Sequence, residues 1–214
     1  FELFGRACSR HLLCTEHDTL DNLTEYFMDN GEMEFEGDRH FNLVFLGYGR
    51  EKDYVGKDVK GKMVMYFNGY PAIDSIPSTK YLSVTDEKYK RAREHGAIGA
   101  IKLFKEADSA GGFIRAISGF AENRMQFDNP FQTGIDSVIP NAIGALPMAG
   151  SRLLGIPYET LLQNLNRLDE GKPIMNLNVT DIHIVYQYRN YLVQTENVLG
   201  LIEGKEHPEE VVVV

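Results

Sequence analysis

The stretch Phe41–Gly49 reads FNLVFLGYG, an apolar run that ends in Gly-Tyr-Gly. A second apolar run, Met63–Phe67, is followed by Asn68 and Gly69. Short apolar runs bounded by turn residues are typical of buried strands. These two runs therefore predict two strands of the core.

A helix and a third strand are predicted next along the chain. Thr85–His95 is charged and amphipathic, and Gly96 suits the position after a helix end. The apolar segment Ala97–Phe104 follows directly. A helix, a turn of small residues and a buried strand together indicate an α/β unit. A further helix is predicted over Glu159–Glu170, where leucines recur on one stripe.

Two antiparallel pairs are also expected. Thr24–Met28 and Glu32–Glu36 flank Asp29-Asn30-Gly31, and Asn-Gly suits a two-residue hairpin turn. Ile174–Val179 and Ile182–Tyr188 alternate in polarity and are predicted to pair with each other.

Residues 1–23 have no clear assignment. Cys8 and Cys14 permit a disulfide, which the sequence leaves open. His11, Cys14 and His17 invite a metal site, but structural zinc prefers four ligands in tighter pairs, so metal is not favoured. His183 alternates within a predicted strand and is interpreted as a surface or satisfied histidine.

The composition limits the classes of partner. The 214 residues have a formal net charge of −9, and Lys and Arg form no basic stripe. Nucleic acid is therefore not expected as a partner, because phosphate binding needs a positive surface. No apolar stretch is long enough to span a membrane.

Residues 105–137 combine glycines with four phenylalanines. These side chains either cover a second hydrophobic cluster, which we favour, or form a surface that contacts substrate. The four candidates for substrate contact are Phe113, Phe120, Phe127 and Phe131.

The end of the sequence predicts two more strands. Glu196–Gly204 leads into a turn, a polar spacer follows, and Val211–Val214 is a run of valines. Such a β-branched run is typical of a strand buried on both faces. In isolation its apolar edge would be exposed, so we expect Val211–Val214 to be disordered, or to pair with a neighbouring molecule or with the N-terminal arm.

Several of these segments resemble a known family. Thr195–Gly204, followed by a spacer and Glu210–Val214, is similar to the start of the catalytic domain of zinc-dependent aminopeptidases and related carboxypeptidases. Leu43–Gly49, Asp53–Tyr66, Ala92–Leu103 and Ile139–Leu154 resemble, in the same order, the protease-associated domain inserted in such enzymes.

The resemblance implies an α/β fold with a mixed, partly closed β-sheet and two or three flanking helices. It implies an unassigned N-terminal arm at 1–23, a protease-associated domain at 24–194 and the start of a zinc peptidase domain at 195–214. The implied function is non-catalytic: the domain covers the active-site cleft in the same chain and restricts substrate access. The alternative is a standalone interaction domain of a receptor-like relative.

The resemblance also sets expectations about chemistry. The parent enzyme would bind two zinc ions and a peptide substrate outside the cytoplasm, secreted or periplasmic. In active members a His-x-Asp pair follows the strand at Val211–Val214, and none of the six histidines here begins His-x-Asp. No catalytic, cofactor or metal residue is therefore expected in this chain. A Gly-x-Ser-x-Gly elbow is also missing from the sequence.

Overall fold

The computed structural model describes residues 2–28, 33–71, 74, 81–105, 125–126, 141–175 and 177–194. Several predictions lie outside this part of the chain. They concern the strands at Glu196–Gly204 and Val211–Val214 and the four phenylalanines Phe113, Phe120, Phe127 and Phe131.

The described residues form an α/β fold with one mixed, nearly closed sheet and three α-helices. The sheet order is β2-β1-β9-β4-β5-β6-β8-β3, and β7 pairs with β1. The strands are β1 Glu2–Cys14, β2 Thr19–Leu20, β3 Tyr26–Met28, β4 Gly37–Phe45, β5 Met63–Phe67, β6 Gly99–Leu103, β7 Met125–Gln126, β8 Ala142–Ala145 and β9 Thr180–Gln194. The helices are α1 Tyr81–Glu94, α2 Pro147–Leu153 and α3 Tyr158–Asp169, and a short 3₁₀ helix covers Glu51–Tyr54.

The centre of the sheet is parallel. Strands β4, β5, β6 and β8 pair in parallel in that spatial order. The apolar runs that predicted β4, β5 and β6 are confirmed, as is the helix before β6. Helix α1 ends at Glu94, and Gly96 has a φ of +84° just beyond it. That conformation favours glycine at a helix C-terminus.

Alternate residues of these strands point to two separate apolar layers. Phe45, Met65 and Leu103 face the larger cluster, which includes leucines of α2 and α3. Val44 and Val64 face the smaller cluster, which includes residues of α1. Because both faces are covered there, β5, β6 and the Leu43–Phe45 end of β4 are buried throughout rather than alternating. None of the helices in the described ranges is long and apolar enough to cross a bilayer.

The two predicted antiparallel pairs are wrong. β3 pairs with β8, and residues 33–36 form no strand, so Tyr26–Met28 is not one arm of a local hairpin. The described residues between 174 and 179 form no strand either. β9 pairs with β1 on one side and with β4 on the other. In both cases a distant strand replaces the local partner that the sequence pattern suggested.

Residues 2–14, which the sequence left unassigned, form a long strand of this sheet. β1 pairs with β9 from Glu2 opposite Gln194 to Cys14 opposite His183. Cys8 and Cys14 are six residues apart in this strand, about 20 Å at the usual rise. A disulfide needs α-carbons within about 7 Å, so the strand excludes this pairing, and Cys14 is a free buried thiol.

The two ends of the sheet approach each other near β3. Asn22 forms an isolated bridge with Tyr26, and the Tyr26 hydroxyl donates to the His11 carbonyl over 3.2 Å. The His11 ring is buried between Tyr26 and Tyr186. Burial lowers the pKa of His11 to about 4, so the ring is neutral at physiological pH. His11 is therefore a core residue, whereas His17 is exposed.

Candidate functional site at the carboxyl edge

The carboxyl ends of the parallel strands lie at one edge of the sheet, where open α/β proteins usually bind ligands. Tyr48 follows β4, Tyr70 follows β5 and Lys105 follows β6. Lys88 of α1 and Asp169 at the end of α3 reach the same place. We call Tyr48, Tyr70, Lys88, Lys105 and Asp169 the edge cluster.

The Gly-Tyr-Gly turn gives the edge cluster its buried tyrosine. Gly47 and Gly49 have φ values of +65° and +66°, a region that disfavours side chains. A β-carbon on Gly49 would lie 3.1 Å from the Tyr66 ring, and one on Gly47 would lie 3.1 Å from Leu168. The two glycines therefore let the chain turn tightly against β5 and α3, and Tyr48 between them is fully buried.

A shared carboxylate links two of the strand ends. The Tyr48 hydroxyl donates to Asp169 Oδ1 over 2.5 Å. Lys105 Nζ donates to the same oxygen over 3.2 Å and to the Tyr70 carbonyl over 2.9 Å. The Lys105 ammonium also lies 4.6 Å from the centre of the Tyr48 ring. Helix α3 is thereby tied to the turns after β4, β5 and β6.

Lys88 is a buried amine among aromatic rings. Its Nζ donates to the carbonyls of Phe67, over 3.1 Å, and Gly69. It also lies 5.1–5.4 Å from the ring centres of Tyr48, Tyr66 and Tyr70. Burial lowers the pKa of Lys88 to about 7, although the charge of Asp53 opposes the shift. A neutral amine retains two N–H donors, so both carbonyls stay satisfied in either protonation state.

Two arginines complete this edge. Arg50 pairs with Asp53 at 3.4 Å and with Asp74 at 3.2 Å. Arg91 donates to the Gly49 carbonyl over 3.1 Å and pairs with Glu51. The four described cations at this edge thus already contact carboxylates or carbonyls. The arrangement is suited to holding three loops in fixed positions rather than to capturing an anion.

A second polar cluster lies on β4 and β9. The rings of His40 and His183 stack with centres 4.6 Å apart and planes 4° apart. His40 Nδ1 lies 2.9 Å from Asp181 Oδ2, and His183 Nε2 contacts Asp38. The sequence interpretation of His183 was incomplete, because no partner for it was visible before the strands were paired.

The sequence-predicted and observed residues overlap little. The phenylalanines at 113, 120, 127 and 131 belong to the segment that leaves β6 after Lys105, outside the described residues. The sequence analysis did not identify Lys88 or Lys105, nor the contacts of the two histidines with aspartates. For the histidines one signal was visible, the motif Asp-x-His at Asp38–His40 and again at Asp181–His183. This spacing places the aspartate and histidine of each motif on one face of a strand.

Among solved structures, the chain is similar to an aminopeptidase from Aneurinibacillus sp. strain AM-1, with a TM-score of 0.43 and 16% identity. That match covers 90% of this chain and 35% of the aminopeptidase. BSAP, a zinc aminopeptidase from Bacillus subtilis, gives a TM-score of 0.43 and 13% identity, covering 93% of this chain and 38% of BSAP.

The chain thus spans little more than a third of each aminopeptidase. No protein-family model matches the sequence. No curated protein matches it either.

Proposed function

We propose that this chain is a non-catalytic protease-associated domain of a larger zinc exopeptidase of the aminopeptidase type. In that protein it would lie over the active-site cleft and restrict which peptides enter. The partners would be the peptidase domain of the same chain and a peptide substrate. The parent would bind two zinc ions and act outside the cytoplasm.

The observation that carries the proposal is the arrangement of the segments that resemble the family. Gly47-Tyr48-Gly49 follows β4, Asp58–Lys62 precedes β5, and Gly96-Ala97 precedes β6. These strands are spatial neighbours in one parallel unit. The turn residues that carry the resemblance therefore flank three neighbouring parallel strands, Gly47-Tyr48-Gly49 at their carboxyl edge and the other two segments at their amino edge.

The path of the backbone also supports an inserted domain. β1 and β9 are antiparallel neighbours, and Glu2 lies opposite Gln194. The start of β1 and the end of β9 therefore lie side by side. A domain with adjacent points of attachment can be inserted into another domain without distorting it.

Excision from the parent protein tests this proposal. Residues 2–194 are replaced by a short Gly-Ser linker, which suffices because Glu2 and Gln194 are cross-strand neighbours. We expect the shortened enzyme to keep hydrolysis of a small aminoacyl anilide and to hydrolyse bulky peptides faster than the intact enzyme. Unchanged relative rates for small and bulky substrates would contradict the access role.

The receptor-like alternative gives a different result. If the parent lacks His-x-Asp after residue 214 and hydrolyses neither substrate with added zinc, the peptidase assignment fails. The chain would then be a domain of a protein without peptidase activity.

A further inference from the structure

The outer face of β4 and β9 brings two copies of one short motif together. Asp38 and His40 lie on β4, and Asp181 and His183 lie on β9. His40 is directly opposite His183 in this antiparallel pair. Each aspartate precedes its histidine by two residues, so each lies diagonally across from the histidine of the other strand. The result is a nearly symmetric row of aspartate, histidine, histidine and aspartate.

We infer that Asp38, His40 and His183 bind one divalent transition-metal ion, with zinc the best fit. This site goes beyond the proposed function and does not depend on it. One ligand atom from each of the three residues lies within 4.8 Å of the other two. Ligand atoms around tetrahedral zinc are roughly 3.3 Å apart, given metal–ligand bonds of about 2.0–2.1 Å. The three groups must therefore close by roughly 1.5 Å at most, and the two imidazoles, now parallel, must rotate out of their stack so that both lone pairs point to one ion.

The side chains are free enough to make that adjustment. Asp38 is 63% exposed and His40 is 66% exposed, so both can rotate without displacing core residues. His183 is 27% exposed and already contacts Asp38 through Nε2. The strand backbones themselves are fixed by the ladder between β4 and β9. The site is thus preorganised in the backbone and needs only side-chain rotation.

Asp181 is a positioning residue for His40. A carboxylate only accepts hydrogen bonds, so the 2.9 Å contact with Asp181 places the proton of neutral His40 on Nδ1. The lone pair of His40 is then on Nε2, available to the ion. Zinc-bound histidines commonly donate the N–H of their other ring nitrogen to a carboxylate, which fixes the orientation of the ring.

The ligand types select the class of metal. Two imidazoles and one carboxylate suit zinc, copper, nickel or cobalt, whereas magnesium and calcium prefer oxygen ligands. Three protein ligands leave a fourth position for water. An ion bound here would crosslink β4 to β9 at the outer face of the sheet.

Calorimetric titration of the untagged, reduced chain with zinc tests the site. We expect saturable binding of one ion per chain, at least about tenfold weaker in His40→Gln and in His183→Gln. His17→Gln removes an exposed histidine outside the cluster and should bind as the wild type does. A wild type that shows no saturable binding, or equal affinity in the His40→Gln and wild-type chains, would overturn the inference.

Cobalt absorption spectra separate this ligand set from a thiol site. Cys14 lies opposite His183 on β1, so it is the thiol that the register brings nearest among the described side chains. Nitrogen and oxygen ligands should give only weak visible bands, unchanged in Cys14→Ser. An intense thiolate charge-transfer band that is lost in Cys14→Ser would show that the assigned ligands are wrong.

Discussion

The rings of His40 and His183 lie face to face across two antiparallel strands, with centres 4.6 Å apart. One ring nitrogen of each histidine contacts an aspartate, Nδ1 of His40 with Asp181 and Nε2 of His183 with Asp38. Each ring of the stack therefore has its own carboxylate partner.

The carboxylate of Asp181 controls the protonation of His40. Its hydrogen bond raises the pKa of His40, and its charge and that of Asp38 act in the same direction. The imidazolium–carboxylate pair thus stabilises the fold below the ordinary histidine pKa, and this contribution is lost as pH rises through the raised pKa. We expect Asp181→Asn to lower the pKa of His40, measured by NMR titration, and Asp38→Asn to lower it less. An unchanged pKa in Asp181→Asn would contradict the contact.

Lys88 should make the protein more stable as the pH rises above about 7. Its folded pKa is about 7, well below the ordinary lysine value, so the unfolded chain binds more protons between these two pH values. The free energy of unfolding should therefore rise with pH there, by at most about 1.4 kcal/mol per pH unit from this group.

Lys88→Met provides the comparison. We expect the free energy of unfolding of the wild type, minus that of Lys88→Met, to increase with pH when both are measured by urea unfolding at pH 7, 8 and 9. A difference that stays constant over this range would mean that Lys88 keeps an ordinary pKa in the fold.

The hydroxyl of Tyr48 should stabilise the carboxyl edge. Tyr48→Phe removes its hydrogen bond to Asp169 and should lower the free energy of unfolding by about 1–3 kcal/mol, because the acceptor is charged. Tyr54→Phe is the matched control. Burial raises the pKa of Tyr54 to about 12, and among the described residues its hydroxyl has no hydrogen-bond partner. Removal of the Tyr54 hydroxyl should leave the free energy of unfolding unchanged or raise it. Equal decreases in Tyr48→Phe and Tyr54→Phe would contradict a stabilising hydrogen bond from Tyr48 to Asp169.

The second glycine of the Gly-Tyr-Gly turn should be harder to replace than an unconfined glycine. Gly49→Ala meets both a φ of +66° and the Tyr66 ring at 3.1 Å. Gly56→Ala has a similar φ of +72° but nothing within 4 Å. Both should lose about 1–2 kcal/mol to the left-handed backbone, and Gly49→Ala should lose about 1 kcal/mol more through crowding. Thermal unfolding of the two variants compares them, and equal shifts would argue against close packing at this turn.

The sequence predicted the segments whose signals are local. Leu43–Phe45 of β4 and the whole of β5 are apolar and buried on both faces, and α1 is followed by Gly96, whose positive φ suits a helix end. Such features depend on residues within one turn or one strand. They were therefore visible without knowing which strands are neighbours.

Pairings between distant segments could not be predicted in this way. Tyr26–Met28 pairs with β8, more than a hundred residues later, although an Asn-Gly turn sequence follows it directly. His40 and His183 meet only because β4 and β9 are in register. The Asp-x-His repeat marks both histidines in the sequence, but it does not show that they are neighbours, and that became visible only with the sheet topology.

We propose that this chain is the non-catalytic part of a larger zinc exopeptidase. The most direct test is release of 4-nitroaniline from aminoacyl anilides by the purified 214-residue chain with added zinc. We expect a rate no higher than that of buffer with zinc alone. Zinc-dependent release that a chelator stops would contradict it.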